Sequence, residues 1–128
     1  MPVTAQEFRR TALSFPETKM RSHMDHPDFR VAGKIFATLG YPDRSYGMVK
    51  LTPIEQQMFV HAQPKAFRPC NGKWGLRGAT SVKLAAVKKT TLRRALTAAW
   101  SLGFALANPK SKNELATPRV RTRPRKPR

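Results

Sequence analysis

Apolar and polar residues alternate between residues 29 and 39, and this spacing limits the segment to extended structure. In FRVAGKIFATL the odd positions are apolar apart from a glycine, whereas Arg30, Lys34 and Thr38 occupy even positions. Side chains of a strand point alternately to opposite faces, so the pattern predicts a sheet with one buried face and one face in water. Ala32-Gly33 is expected to bend the segment into a tight hairpin or a bulge.

Further segments are expected to extend this sheet. Residues 47–51 repeat the alternation, and residues 17–25 form a weaker extended segment. Asn71-Gly72 is a strong signal for a hairpin turn. After that turn, apolar residues occupy even positions and polar residues odd positions: Trp74, Leu76, Val82 and Leu84 against Lys73, Arg77, Ser81 and Lys83. An extended ribbon would therefore point Trp74 and Leu76 at the core, and Lys73 and Arg77 outward.

Three helices are predicted to pack on this sheet. Thr4 with Glu7, and Thr52-Pro53 with Glu55, are capping boxes that begin helices over about 4–14 and 52–63. A third helix is expected from about residue 90 until Asn108-Pro109 ends it. The apolar faces expected for the second and third helices are Ile54, Met58 and Ala62, and Leu92, Ala95, Leu96, Ala99, Leu102 and Leu106.

The chain is strongly basic, with 25 Lys and Arg against 7 Asp and Glu and a formal charge of +18. Residues 109–128 hold eight of these bases, one acid and almost no apolar side chains. Such a segment buries too little surface to offset its ordering entropy, so a domain at 1–108 is expected to precede a disordered Pro/Arg-rich tail. Both parts are basic, so polyanions, and nucleic acid above all, are the natural partners.

The location of the chain is inferred from what its sequence lacks. The single cysteine excludes an internal disulfide, and neither an apolar leader nor a run of about 20 apolar residues occurs. The expectation is a cytoplasmic protein without a membrane partner. The sequence leaves the oligomeric state open, and a monomer is the default expectation.

A basic sheet face is the candidate nucleic-acid site. Cations on the parity expected to face water, together with those of the tail, form the predicted contact set: Arg30, Lys34, Lys50, Lys73, Arg77, Lys83, Arg119, Arg121, Arg123, Arg125, Lys126 and Arg128. Phe36, Tyr46 and Met48 break the parity and are candidate stacking surfaces for bases. The other interpretation is an ordinary solvated sheet face.

Other kinds of site have weaker support. The glycines of NGKWGLRGAT are spaced G-x-x-G-x-x-G, which matches no dinucleotide or P-loop motif. HMDHPD at residues 23–28 could supply metal ligands, but its spacing matches no metal motif and His26-Pro27-Asp28 is typical of a polar turn. Cys70 could be a nucleophile with Lys73 nearby, yet it is more simply a small residue at a strand end.

Trp74 and Trp100 are expected to be core anchors. Neither a catalytic residue, a metal nor a cofactor is expected.

Several blocks resemble one known family. DFRVAGKIFATL, MVKLTPIEQQ, AFRPCNGKWGLRGATSVKL and a final helix ending in ALTAAW are similar to the MmcQ/YjbR-like proteins, small bacterial proteins often labelled DNA-binding. The resemblance covers roughly residues 4–104. It implies a frataxin-like (CyaY-like) fold and a double wing, two projecting β loops near 40–46 and 70–79 proposed to contact DNA. The iron binding of frataxin-like folds needs clustered carboxylates, and the scattered acids of this chain argue against it.

The sequence therefore predicts an α/β (α+β) domain: an antiparallel sheet of about five strands packed on N-terminal, middle and C-terminal helices. The expected function is non-enzymatic nucleic-acid binding, to DNA rather than RNA. Two alternatives stay open. One is a protein-interaction or regulatory module whose basic surface keeps it soluble, and the other is an enzyme acting on an anionic small molecule.

Overall fold

The structure, a computed structural model, describes residues 3–23, 26–40 and 43–107. The helices are α1 (Ala5–Leu13), α2 (Pro53–Ala62), α3 (Gly72–Leu76) and α4 (Lys89–Ala107). The strands are β1 (Thr18–His23), β2 (His26–Val31), β3 (Lys34–Leu39), β4 (Tyr46–Lys50), β5 (Phe67–Pro69) and β6 (Ala79–Lys83). The predicted α+β class is confirmed, with six strands in the described chain where about five were expected. The tail at 109–128 lies outside the described residues.

The strands form one antiparallel sheet in the order β1-β2-β3-β4-β6-β5. The edge strand β5 was implied only by the expectation that Cys70 ends a strand, because three residues are too few to show a period of their own. The expectation of a turn at His26-Pro27-Asp28 is wrong, since these residues begin β2 and pair with β1.

The β2–β3 hairpin turns at Ala32 and Gly33, as predicted, and a bulge follows it. Both turn residues have positive φ, 50° and 83°, the conformation that a two-residue hairpin loop requires. Phe29 pairs with Ala37 but Arg30 pairs with Ile35, so one residue of β3, Phe36, is extra. The bulge reverses the faces of Lys34 and Ile35 relative to the alternation predicted from the sequence, whereas Ala37, Thr38 and Leu39 keep their predicted faces. On the turn side of the bulge, Lys34 pairs with Val31 and therefore lies on the side of the sheet that the helices cover.

Three helices cover one face of the sheet and enclose the core. Phe8 of α1 lies 6.0 Å from Phe29, measured between ring centroids. Gly103 of α4 approaches so closely that a Cβ there would lie 3.0 Å from Val31 Cγ1. Phe59 of α2 packs on Phe67 with 5.3 Å between ring centroids. None of the helices in the described chain is long and apolar enough to cross a membrane.

The start of α2 is confirmed, but its predicted apolar face is wrong. Thr52 and Glu55 form both hydrogen bonds of the capping box. Ile54 and Met58, however, are 74% and 64% exposed, and Ala62 is exposed as well. The buried face instead carries an amide, Gln56, and two half-buried apolar residues, Phe59 and Val60.

The segment after Asn71-Gly72 is a short helix and not an extended ribbon. Over α3 the parity argument fails, so Leu76 is 78% exposed and Trp74 is 37% exposed. The expectation that Trp74 anchors the core is therefore wrong, and the second projecting β loop expected at 70–79 is not extended. Gln56 fastens α3 to the fold, because its Nε2 donates to the carbonyl oxygens of Gly75 and Ala79, each at 2.9 Å.

Trp100 packs at the margin of the core and not at its centre. Its ring stacks between Phe15 and Phe104, at centroid distances of 6.1 and 5.3 Å. Its indole nitrogen donates to the Pro16 carbonyl at 3.0 Å. Trp100 thus holds α4 against the segment that links α1 to β1. The predicted anchoring role is confirmed, although the side chain is only partly buried.

Candidate nucleic-acid interface

The sheet face opposite the helices, here called the outer face, can be followed from the strand register. Residues directly opposite each other in antiparallel strands point to the same face. One such row crosses all six strands: Arg21, Asp28, Thr38, Met48, Ser81 and Arg68. Alternate positions of the same strands add four more cations: Lys19, Arg30, Lys50 and Lys83.

The outer face contains half of the predicted sheet and ribbon cations. Arg30, Lys50 and Lys83 lie there, as the parity of the sequence predicted. Lys19, Arg21 and Arg68 were not predicted. The Lys-Met-Arg alternation of β1 is a signal that could have revealed the first two. Arg68 could not have been found this way, because β5 is too short for periodicity.

The side chains at the centre of the outer face are buried, so the charged groups that water can reach lie toward its margins. Thr38, Met48 and Ser81 are at most 3% exposed. Met48 and Phe36 are fully buried and cannot stack on a base, which corrects the prediction for both. Tyr46 is half-buried, and the Arg68 guanidinium lies 4.9 Å from its ring centroid.

Arg30 is occupied by an internal ion pair. Its Nε and one terminal nitrogen donate to the two carboxylate oxygens of Asp28, at 2.8 and 3.1 Å. Asp28 is fully buried, and its hydrogen bond raises the pKa of Arg30. A guanidinium bound in this bidentate way neutralises a buried charge. Arg30 therefore contributes to the fold, and its predicted role as a phosphate contact is not supported by this geometry.

Toward the β5 edge, cations surround a shallow depression of about 420 Å³. Lys65, Arg68 and Lys83 line it together with Tyr46. The nearby Asp43 accepts hydrogen bonds from the hydroxyl and the backbone of Ser45. These bonds lower the pKa of Asp43, and the charges of Arg68 and Lys83 lower it further. This margin of the sheet thus attracts negative charge.

A second group of cations lies where β3 begins and β4 ends. Lys34, Lys50 and Arg77 line a cleft of about 320 Å³, here called the basic cleft, whose other wall is the C-terminal part of α4. Burial lowers the pKa of Lys50, and the nearby charge of Lys34 lowers it further. The sequence placed these cations on one flat face, but the bulge at Phe36 and the helical α3 bring them into a concave site.

Lys73 lies apart from both groups. It is exposed on α3 and does not share a sheet face with Lys83, because the segment that contains it is helical. The predicted tail contacts lie outside the described residues: Arg119, Arg121, Arg123, Arg125, Lys126 and Arg128.

Cys70 does not have the surroundings of a nucleophile. It is 7% exposed, and its Sγ lies 3.4 Å from the Ser81 hydroxyl. Burial raises the pKa of the thiol, which favours the protonated and unreactive form. Within the described residues, no group of three or more His, Cys, Asp and Glu side chains could hold a metal ion.

Comparisons with known proteins agree with this architecture. A crystal structure of the Deinococcus radiodurans protein DR2400, described as having a DUF419 domain, matches with a TM-score of 0.69. The match covers 93% of this chain and 92% of that one at 16% identity, so it shows the fold alone. No curated protein matches the chain significantly. The family model for YjbR matches residues 13–102, most of the chain and nearly all of its described elements, and the protein accordingly belongs to the YjbR family.

Proposed function

We propose that this protein binds nucleic acid through the outer face of its sheet, without catalysing a reaction. The observation that carries the proposal is the charge on that face. Six cations project from its strands. Arg30 is paired with Asp28, the one carboxylate among the described strand residues of that face, and the other five cations have no carboxylate among those residues as a partner. Such a surface attracts the phosphate backbone and would bind nucleic acid without sequence specificity. The preference for DNA over RNA rests on the family resemblance, and the protein is proposed to act as a cytoplasmic monomer.

The outer face has the dimensions of a short duplex contact. Arg21 on β1 and Arg68 on β5 end the row that crosses six strands. Adjacent strands are about 4.8 Å apart, so the row spans about 24 Å. That length corresponds to about seven base pairs at 3.4 Å each. Because the centre is closed, contacts would be made by the long side chains at the two margins.

Charge removal on the outer face should weaken binding to duplex DNA and flatten its salt dependence. Replacing Arg21, Arg68 and Lys83 by glutamine should reduce the slope of log K against log salt by about two to three, since each phosphate contact contributes about 0.9. Fluorescence anisotropy at several salt concentrations, with DNA, RNA and heparin, measures this slope.

The matched control removes the same charge elsewhere. Arg9, Lys88 and Arg94 are exposed on or beside the helices, and replacing all three by glutamine should leave the slope unchanged. Equal losses in the two triple variants would show that only the net charge matters. Equal affinity for heparin would also contradict nucleic-acid recognition. Truncation after residue 108 measures the contribution of the basic tail separately.

A second candidate, a protein-interaction module, is favoured by the outer side of α2. Ile54 and Met58 lie one turn apart and are 74% and 64% exposed. Exposed apolar pairs at this spacing are typical of helix faces that bind a partner. In a pull-down treated with nuclease, partners bound by the wild type and lost from an Ile54→Gln, Met58→Gln variant would support this function. Partners that disappear with nuclease alone would support nucleic-acid binding instead.

A further inference from the structure

The basic cleft combines three cations with an apolar wall. Lys34, Lys50 and Arg77 line it, and its apolar lining, here called the apolar wall, includes Ile35, Trp74, Leu102 and Leu106. Leu106 is 50% exposed, although the rest of the apolar face of α4 is mostly buried. Gly103 lets α4 approach the sheet closely, and Leu102 and Leu106 of the same helix line the cleft. The apolar wall is thus continuous with the core but open to water.

The charges of the cleft have no acidic counterpart. No Asp or Glu occurs among the described residues that line it. Lys34 is close enough to Lys50 to lower its pKa further after the effect of burial. The partly buried Lys50 ammonium is repelled by the exposed Lys34 ammonium, and an anion bound beside them would relieve that repulsion.

Size and chemistry together restrict what could occupy the cleft. About 320 Å³ is at the small end of the range of about 300–1,000 Å³ for small-molecule sites. A phosphate backbone would leave the apolar side chains of the cleft exposed to water. A nucleobase could stack on Trp74, but its edge would find no hydrogen-bond partners along the side chains of Ile35, Leu102 and Leu106. A ligand with a hydrocarbon body and one anionic group could contact both the apolar side chains and the cations of the cleft.

We propose that the basic cleft binds a small amphipathic anion, an organic acid whose anionic group contacts Lys34, Lys50 and Arg77. Its hydrocarbon body packs on Leu102 and Leu106, where burial of apolar surface is favourable. The site is separate from the outer-face surface proposed for nucleic acid, although Lys50 is near both. The cleft proposal does not depend on nucleic-acid binding.

Calorimetric titration of the full chain with a set of matched probes tests the proposal. Octanoate supplies the acid and the hydrocarbon body, octanol the body alone, acetate the acid alone, and octylammonium the opposite charge. Octanoate should bind saturably at one site. Octanol and acetate should each bind at least about tenfold more weakly, because each lacks one of the two kinds of contact. Octylammonium should not bind.

Substitutions of exposed residues locate the site without threatening the fold. Lys34→Gln with Arg77→Gln should weaken octanoate binding about tenfold, and Leu106→Gln should do so by a similar factor. The matched control, Arg68→Gln with Lys83→Gln, removes the same charge from the outer face and should leave octanoate affinity unchanged. DNA binding of the Leu106→Gln variant should equal that of the wild type, which separates this site from the proposed function.

Three outcomes would overturn the proposal. Equal weakening by the two double variants would mean that octanoate responds to net charge. Acetate binding as tightly as octanoate would remove the role of the apolar wall. Adenosine monophosphate competing at the same site about tenfold more tightly than octanoate would assign the cleft to nucleotides.

Discussion

Replacing Gly78 by alanine should lower the midpoint of thermal unfolding by about 15 °C or more, which corresponds to about 3–5 kcal/mol. A Cβ at this position would lie 1.8 Å from the carbonyl oxygen of Leu51. The backbone cannot easily shift away, because the Leu51 amide donates to the Gly78 carbonyl at 3.2 Å. The φ of +116° adds conformational strain for any residue with a side chain. Calorimetry or circular dichroism on the purified variant measures the shift.

Gly72→Ala is the matched control, six residues earlier in the same segment. Its φ of +73° also favours glycine, but nothing lies within 4 Å of a Cβ built there. Alanine at this position should therefore cost only about 1–2 kcal/mol of conformational strain. Comparable destabilisation by the two substitutions would mean that backbone conformation, and not the close approach to Leu51, decides the requirement for glycine at position 78.

Gln56→Leu should destabilise the domain by about 2–3 kcal/mol, because two buried carbonyl groups lose a hydrogen bond from the same amide. Gln56 Nε2 donates to the Gly75 and Ala79 oxygens, and the side chain is 7% exposed. Leucine keeps the approximate shape of the side chain but offers no donor. Urea unfolding measures the loss, and faster amide hydrogen exchange at Gly78 would locate it at the α3–β6 junction.

The neighbouring Gln57 offers the control for this substitution. It carries the same side chain on the same helix but is exposed, so Gln57→Leu should change stability by no more than about 0.5 kcal/mol. If Gln56→Leu were equally mild, the two hydrogen bonds would not be what holds α3 against α2.

The features predicted correctly depend on contacts between residues close in the chain. Both capping boxes join residues three apart, Thr4 with Glu7 and Thr52 with Glu55, and both are present. The β2–β3 hairpin is set by Ala32-Gly33 itself. In each case the interacting groups lie within a few residues of each other, so the local sequence is enough to predict the interaction.

The incorrect predictions involve features that long-range contacts decide. Residues 71–78 were expected to be extended because their polarity alternates, yet five residues of helix are too short to show a helical period. What holds α3 is Gln56, 19 positions from Gly75 in the chain. The same amide occupies the buried face of α2, so the apolar Ile54 and Met58 point to water.

The sequence by itself determined the family, the α+β class, the helix starts and the basic character of the chain, because composition and short-range patterns carry that information. The tertiary structure decided where the charges meet. One extra residue at Phe36 moves Lys34 to the helix side, so that Lys34 lines the basic cleft together with Lys50 and Arg77. The register in which distant strands pair places Arg21, Arg68 and Lys83 together on the outer face. Charge can be counted along a chain, but only packing decides which charges share a surface.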